Sequence, residues 1–214
     1  LLGSTIQYER MIDLPSAGIA GAVSVGKSSL LNALLKRDRS IVSGRGATTR
    51  DVLAEILALG DLDCVLFDCA GLTAAPDGDS PLDALARQAA RSALQGADAV
   101  LFCVDITKDN LADDIAVYSM LEGRPFLALA TQCDKVPADI LPARLERLRR
   151  EFGFTFLPTS AHSGAGLDAL KARIREILLN LRPGAAQADQ RIAVNQRHRQ
   201  ILSEAGAALA EAKA

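Results

Sequence analysis

The run Gly21-Ala-Val-Ser-Val-Gly26-Lys27-Ser28 sets two glycines, a lysine and a hydroxyl in the order G-x-x-x-x-G-K-S. Glycines at those places let successive backbone N–H groups turn inward around a polyphosphate. Lys27 can then reach the outer oxygens, and the Ser28 hydroxyl is an oxygen ligand for Mg²⁺. Ser29-Leu-Leu-Asn-Ala-Leu-Leu35 follows as the start of a helix, whose N-terminal partial positive charge favours an anion. Ser24, Val25, Gly26 and Ser29 complete the candidate phosphate cradle.

Four further segments lie downstream: Gly46-Ala-Thr-Thr-Arg-Asp51, Asp68-Cys-Ala-Gly71, Thr131-Gln-Cys-Asp134 and Ser160-Ala-His162. Asp68 can accept a hydrogen bond from a Mg²⁺-bound water, and the Gly71 N–H can meet a γ-phosphate, so that loop would sense hydrolysis. A threonine at 48 or 49 could offer its hydroxyl to the metal only while a triphosphate is present. Asp134 can accept two hydrogen bonds from guanine, which adenine does not offer in that geometry. The Ala161 N–H can meet the guanine oxygen, with Thr131, Gln132, Ser160 and His162 shaping the loops around it. Taken singly, each segment has a bland reading: a strand-end turn, a loop acid, a capping threonine. Their order and spacing make them a set.

Elements able to position this set alternate along the chain. Short apolar runs occupy Val52–Leu59, Cys64–Phe67, Ala99–Val104, Phe126–Thr131 and Phe154–Pro158. Amphipathic stretches with helical periodicity occupy Lys27–Lys36, Leu85–Gln95, Asp113–Leu121, Ala138–Glu151 and Leu167–Leu181. Alternation of this kind predicts an α/β fold: a mostly parallel six-stranded sheet covered by helices on both faces. Only Gly60 to Asp63 separates the first two runs, too short for a crossover, so that pair is predicted to be an antiparallel hairpin. The strand expected before the phosphate loop, Ser16-Ala-Gly-Ile-Ala20, is weak, with one β-branched residue. Most motifs then follow an element end, where an open α/β sheet places its ligand.

Composition narrows the class. The chain has 214 residues with a net charge of −2, and 49% of its residues are hydrophobic and 23% charged. These are the proportions of an ordinary globule, and near-neutrality argues against holding nucleic acid by bulk electrostatics. The best uninterrupted apolar run, Ala99 to Val104, falls far short of a membrane span of roughly 20 residues. Cys64, Cys69, Cys103 and Cys133 form no C-x-x-C pair and read as reduced core cysteines, consistent with a cytoplasmic protein. Arg144, Arg147, Arg149 and Arg150 make a basic helical face, read first as solvated and second as an RNA or partner contact.

The five motifs in order resemble those of translation-factor-class GTPases. Three stretches are similar to the G domain of the MnmE (TrmE) family of tRNA-modification GTPases: Gly26-Lys-Ser-Ser-Leu-Leu-Asn-Ala33, Ala47-Thr-Thr-Arg-Asp-Val-Leu53 and Asp68-Cys-Ala-Gly-Leu72. The resemblance runs from about Leu14 to Leu181 and implies a P-loop G domain that binds GTP and GDP with Mg²⁺ and hydrolyses GTP. Within it, Thr49 is favoured over Thr48 as the metal-binding threonine. Leu72 stands where Ras-like GTPases have a water-orienting glutamine. The family shares the leucine and takes its catalytic acid from further along, acting when two G domains meet. Counting back from Val104-Asp105 places Asp83 there, beside Gly71 and Lys27 in the catalytic set, where the family has Glu.

Three other departures concern binding. Ser24 occupies the place of an asparagine that helps to bind an activating K⁺, so potassium dependence is left open. Gln132 replaces the lysine of the Asn/Thr-Lys-x-Asp pattern, whose stem packs over the base, and weaker guanine binding is the expectation. Ala47 replaces a glycine of the first switch.

The chain begins at Leu1 without an initiator Met and is expected to be a piece of a longer protein. The ends, 1–13 and 182–214, read as helical flanks around a G domain at 14–181, as in the resembled family, whose G domain is inserted into a helical domain. Asn195-Gln-Arg-His198 is similar to its returning helix. The resemblance further implies a transient homodimer through the G domain, with an MnmG-like partner and tRNA engaged through parts outside this chain, and no membrane. The alternative is a ribosome-assembly GTPase of the Era or Der kind, which shares the Thr-Arg-Asp and Asp-x-x-Gly-Leu wording, or a hydrolysis-deficient GTP-binding scaffold.

Overall fold

The apolar runs form six strands: β1 Ser16–Gly21, β2 Ala54–Ala58, β3 Asp63–Asp68, β4 Ala99–Asp105, β5 Phe126–Thr131 and β6 Leu157–Pro158. This computed structural model describes residues 14–37, 54–68, 94–121 and 123–181. The strands make one sheet in the order β2-β3-β1-β4-β5-β6. β2 pairs antiparallel with β3, and all other pairings are parallel. The predicted hairpin and the predicted six-stranded mixed sheet are both met.

Four helices are described: α1 Lys27–Arg37, α2 Ala112–Ser119, α3 Leu141–Phe152 and α4 Leu167–Asn180, with a short 3₁₀ turn at Cys133–Lys135. The α1 helix packs against β1, β2 and β3. In α4 the buried residues are Leu167, Leu170, Ile174 and Leu178, spaced to fall on one face. Gly166 leads into that helix with φ 74°, and a Cβ there would collide with the Pro158 carbonyl. The α3 helix starts three residues later than its periodicity suggested, with Pro142 in its first turn, and it ends on Gly153 in the left-handed region.

The weak first strand occupies the centre of the sheet. Its register aligns Ala17–Ile19 with Leu66–Asp68 on one side and Ala17–Gly21 with Ala99–Cys103 on the other. Small residues are what that position demands. A Cβ on Gly18 would meet Leu94 and Phe67 at 3.0 Å. At the far edge the reverse happens: the run Phe154–Pro158 yields a strand of only two residues. Phe154 and Phe156 instead join Phe102, Tyr118, Phe126 and Phe152 in a cluster of edge-to-face and tilted rings. That cluster ties α2 and α3 to β4 and β5.

Cys64, Cys103 and Cys133 are free and buried, as expected. Burial pushes the Cys64 and Cys103 thiols up to about 12, which keeps them protonated and inert. Two arginines of the basic face of α3 are tied to the loop after β4, whereas Arg149 and Arg150 are exposed, as the solvated reading expects. Arg144 pairs with Asp109 at 2.7 Å, Arg147 with Asp109 and the Lys108 carbonyl, and Arg149 with Glu146.

Residues 14–178 belong to one unit, and 1–13 with 179–214 to another. The predicted flanks, and most of the expected helix Leu85–Gln95, lie outside the described residues. No described helix is long and apolar enough to cross a membrane.

Candidate functional site

The phosphate loop leaves β1 at Gly21, where a Cβ would collide with the Cys103 carbonyl. Close approach of two backbones thus fixes the first glycine of the motif. Gly26, with φ 91°, turns the chain into α1, and the Leu30 N–H donates to the Gly26 carbonyl at 2.8 Å. Lys27 is 7% exposed, and its Nζ donates to the carbonyls of Gly21 (2.9 Å) and Ala22 (2.7 Å). Burial pulls the Lys27 pKa down, and the charge of Asp68 acts against that pull. The ammonium is thus held against the carbonyls of the phosphate loop itself.

Asp68 ends β3, next to β1. The Ser28 hydroxyl donates to its Oδ2 at 2.6 Å. Its Oδ1 is buried and has no hydrogen-bond partner among the described residues. One carboxylate with a spare oxygen beside one hydroxyl suits a hard cation that keeps several waters and takes its other ligands from phosphate, which is how Mg²⁺ is usually held. Among the described residues no group of three or more His, Cys, Asp or Glu side chains could hold a metal unaided.

The third and fourth segments meet at the ends of β5 and β6. The Thr131 hydroxyl donates toward the Val25 carbonyl at 2.7 Å and lies 3.1 Å from that of Val104, which ties the phosphate loop to the sheet. Asp134 sits in the 3₁₀ turn. A hydrogen bond from the buried Ser160 hydroxyl holds its carboxyl below the usual range. Ser160 Oγ in turn accepts from the Ser163 N–H at 3.0 Å, and the Cys133 N–H donates to the Thr159 carbonyl at 3.2 Å. The two loops therefore brace each other. His162 is 91% exposed, and its Nδ1 lies 3.9 Å from Asp134 Oδ2, a loose contact.

A cavity of about 310 Å³ opens between these loops. Ser24, Val25, Gly26, Ser29, Thr131, Gln132, Asp134, Ala161 and His162 line it, all expected from the motifs. Leu30, Lys135 and Thr159 line it too and were not foreseen. Lys135 directly follows the recognised aspartate, a neighbouring position that could have flagged it. Lys27, Ser28, Asp68 and Ser160 stand outside that wall, the first three around the phosphate loop and the last behind Asp134. Asp83, Gly71, Thr48 and Thr49 lie outside the described residues.

A phosphate loop and a paired-loop base pocket at the carboxyl ends of a mixed sheet define a P-loop GTPase G domain. That class binds guanine nucleotide, usually with Mg²⁺. A family model described as 50S ribosome-binding GTPase matches residues 16–132, more than half of the chain. The chain belongs to that GTPase family.

Among curated relatives, the tRNA modification GTPase MnmE of Roseiflexus sp. (strain RS-1) is 36% identical over 194 residues, covering 88% of this chain and 41% of the relative. The MnmE of Rhodospirillum rubrum is 37% identical over 204 residues, covering 95% and 42%. The chain thus spans about two fifths of the length of the curated relatives it matches. Among solved structures, an Aquifex aeolicus Era variant bound to GDP and AlF₄⁻ superimposes with a TM-score of 0.64 at 27% identity, covering 80% of this chain and 58% of that one. The resemblance to MnmE read from the motifs is borne out, and with it the reading of the chain as a GTP hydrolase.

Proposed function

We propose that this chain is the GTP-driven switch domain of an MnmE-like protein that modifies the wobble uridine of tRNA in the cytoplasm. Lys27 and the backbone of Ser24–Ser29 take the phosphates, Asp134 and the Ala161 N–H read guanine, and Gln132, Ser160 and His162 shape that pocket. Ser28, Asp68 and Thr49 hold Mg²⁺, which when bound neutralises charge on the β- and γ-phosphates. The Gly71 N–H senses the γ-phosphate, and Asp83 supplies the water-orienting acid when two G domains pair. An MnmG-like partner and tRNA are engaged through parts of the longer protein. Ser24 offers a hydroxyl of shorter reach than the family's asparagine, and hydrolysis measured with and without K⁺ decides whether that ion takes part.

The observation that supports this most directly is the cavity lined by both the phosphate loop and Asp134, whose carboxylate the Ser160 hydroxyl braces from behind. The relatives named MnmE match about nine tenths of this chain, against the smaller identity of the Era likeness. Fluorescent mant-GTP is expected to bind in the presence of Mg²⁺ while mant-ATP does not, and Lys27→Ala is expected to abolish binding. Equal binding of both nucleotides, or unchanged binding in the variant, refutes the site. Phosphate release that stays at background at high protein concentration, with and without K⁺, refutes hydrolysis by paired G domains.

A further inference from the structure

Beside the phosphate loop stands a charge pair that the nucleotide site does not use. The α2 helix packs on β1, the strand that runs into that loop, and Asp114 lies in the first turn of α2 with its side chain fully buried. A carboxylate there ordinarily gains from the N–H groups of the helix start. This one has no hydrogen-bond partner for either oxygen among the described residues, and Lys108 Nζ stays 3.8 Å from its Oδ2. Burial pushes the carboxyl up to about 6 against the pull of Lys108, with Asp113 and Asp105 adding to the rise. Lys27, whose pKa burial lowers, feels both members of the pair: Asp114 attracts its charge and Lys108 repels it. The charges facing Asp114 thus come from its own turn (Asp113), from the end of β4 and the loop after it (Asp105 and Lys108), and from the start of α1 (Lys27).

We propose that Asp114 is a proton-holding acid that ties nucleotide affinity to pH. With the proton on, Lys27 and Lys108 contribute their full positive charge to the field at a nucleotide's phosphates. With it off, the buried carboxylate offsets part of that charge. The inference rests on the nucleotide site proposed above. Mg²⁺-bound GDP or GTP carries net negative charge, and Lys27 is the group it meets. Negative charge arriving there makes an ionised Asp114 costlier still, so the loaded chain holds the proton more tightly than the empty one. Linkage makes the effect reciprocal: the protonated chain holds nucleotide more tightly by the same factor. Asp114 therefore makes affinity higher below about pH 6 and lower once pH has risen through and just above that value. It touches no nucleotide and acts through the field at Lys27, which burial keeps poorly screened by salt.

The test is equilibrium titration of mant-GDP with Mg²⁺ into the full chain at about pH 7.5 and about pH 5, at constant ionic strength, for the parent and Asp114→Asn. The amide keeps the shape of the protonated acid and stays neutral at both values. At the higher pH the variant is expected to bind about threefold or more tighter than the parent, and at the lower pH nearly equally. Every other titrating group, the nucleotide's phosphates included, is common to the two chains and cancels in the ratio. A ratio that is equal at the two pH values, or that favours the parent at the higher one, overturns the coupling while leaving the nucleotide site standing. Should Asp114→Asn fail to fold, Lys108→Met decides. Without the ammonium's pull the carboxyl takes its proton at higher pH, so the pH at which affinity falls moves up from that of the parent, and an unmoved midpoint overturns the coupling. Failure of the parent chain to bind mant-GDP at either pH removes the nucleotide site itself, a distinct result.

Discussion

Asp114 offers the sharpest test of the electrostatics around this site. Its side chain is fully buried in the first turn of α2, and neither carboxylate oxygen has a hydrogen-bond partner among the described residues. Lys108 Nζ stands 3.8 Å away, close enough to attract and too far to hydrogen-bond. Burial pushes the carboxyl from its ordinary 3.8 up to about 6, against the pull of Lys108 and with Asp113 and Asp105 adding to the rise. A folded-state pKa above the unfolded value means that the fold gains stability from the bound proton. That gain is complete below the unfolded pKa and is lost as pH rises through about 6. In full it amounts to about 3 kcal/mol, and roughly half of it is present near pH 5.

Asp114→Asn keeps the shape and removes the titration. Urea unfolding, followed by the near-ultraviolet circular dichroism of Tyr118 in its aromatic cluster, measures both chains at about pH 7.5 and about pH 5. The Asn variant is expected to be the more stable at the higher pH, where the parent buries an ionised carboxylate. Its lead should shrink by about 1 kcal/mol at the lower pH. All other titrating groups are common to the two chains and cancel in the difference. A stability gap that stays constant across the two pH values refutes the reasoning.

Two further outcomes follow from the packing and the base loop. Phe102→Leu removes a fully buried ring that contacts Tyr118, Phe126, Phe152 and Phe156, and should lower unfolding stability by about 2 kcal/mol in the same urea assay. A loss near zero would mean that the cluster repacks freely. The Ser160 hydroxyl keeps Asp134 ionised into acid, so mant-GDP binding should persist below the ordinary carboxylate range and fail only as pH falls through the lowered pKa. Ser160→Ala should move that acid limb to higher pH in a fluorescence titration, and coincident limbs would show that Asp134 is not the group being read.

What could be read in the sequence was backbone-dictated. The phosphate loop is legible because only glycine survives at Gly21 beside the Cys103 carbonyl, and the β2–β3 hairpin because four residues cannot make a crossover. The weak reading of β1 came from propensity, since alanine and glycine are poor strand formers. Propensity lost to context, because the centre of this sheet has no room for more. The opposite error at β6 has the same origin: aromatic residues that suit a strand were drawn into a ring cluster by neighbours distant in sequence. Lys135, Asp105 and Asp114 matter through contacts that no local pattern announces. The basic face of α3 read as solvent-facing, yet Arg144 and Arg147 secure the loop after β4 through Asp109.

Four aspartates near the carboxyl ends of the strands show how environment, rather than residue type, assigns chemistry in this fold. Asp105 has both oxygens satisfied, by Thr107 and Gln132, and is left with nothing to offer a ligand. Asp134 sits at the cavity wall with one hydroxyl holding it ionised, which leaves acceptor capacity directed outward. Asp68 is buried like Asp105 but keeps one oxygen without a partner among the described residues, beside a serine hydroxyl, and that unmet capacity is what a hard cation would use. Asp114 is the most buried of the four and has only a distant ammonium, so its charge is the one the fold resists. Counting satisfied lone pairs therefore separates the structural acid from the reader, the metal ligand and the strained acid, where the one-letter sequence writes D four times.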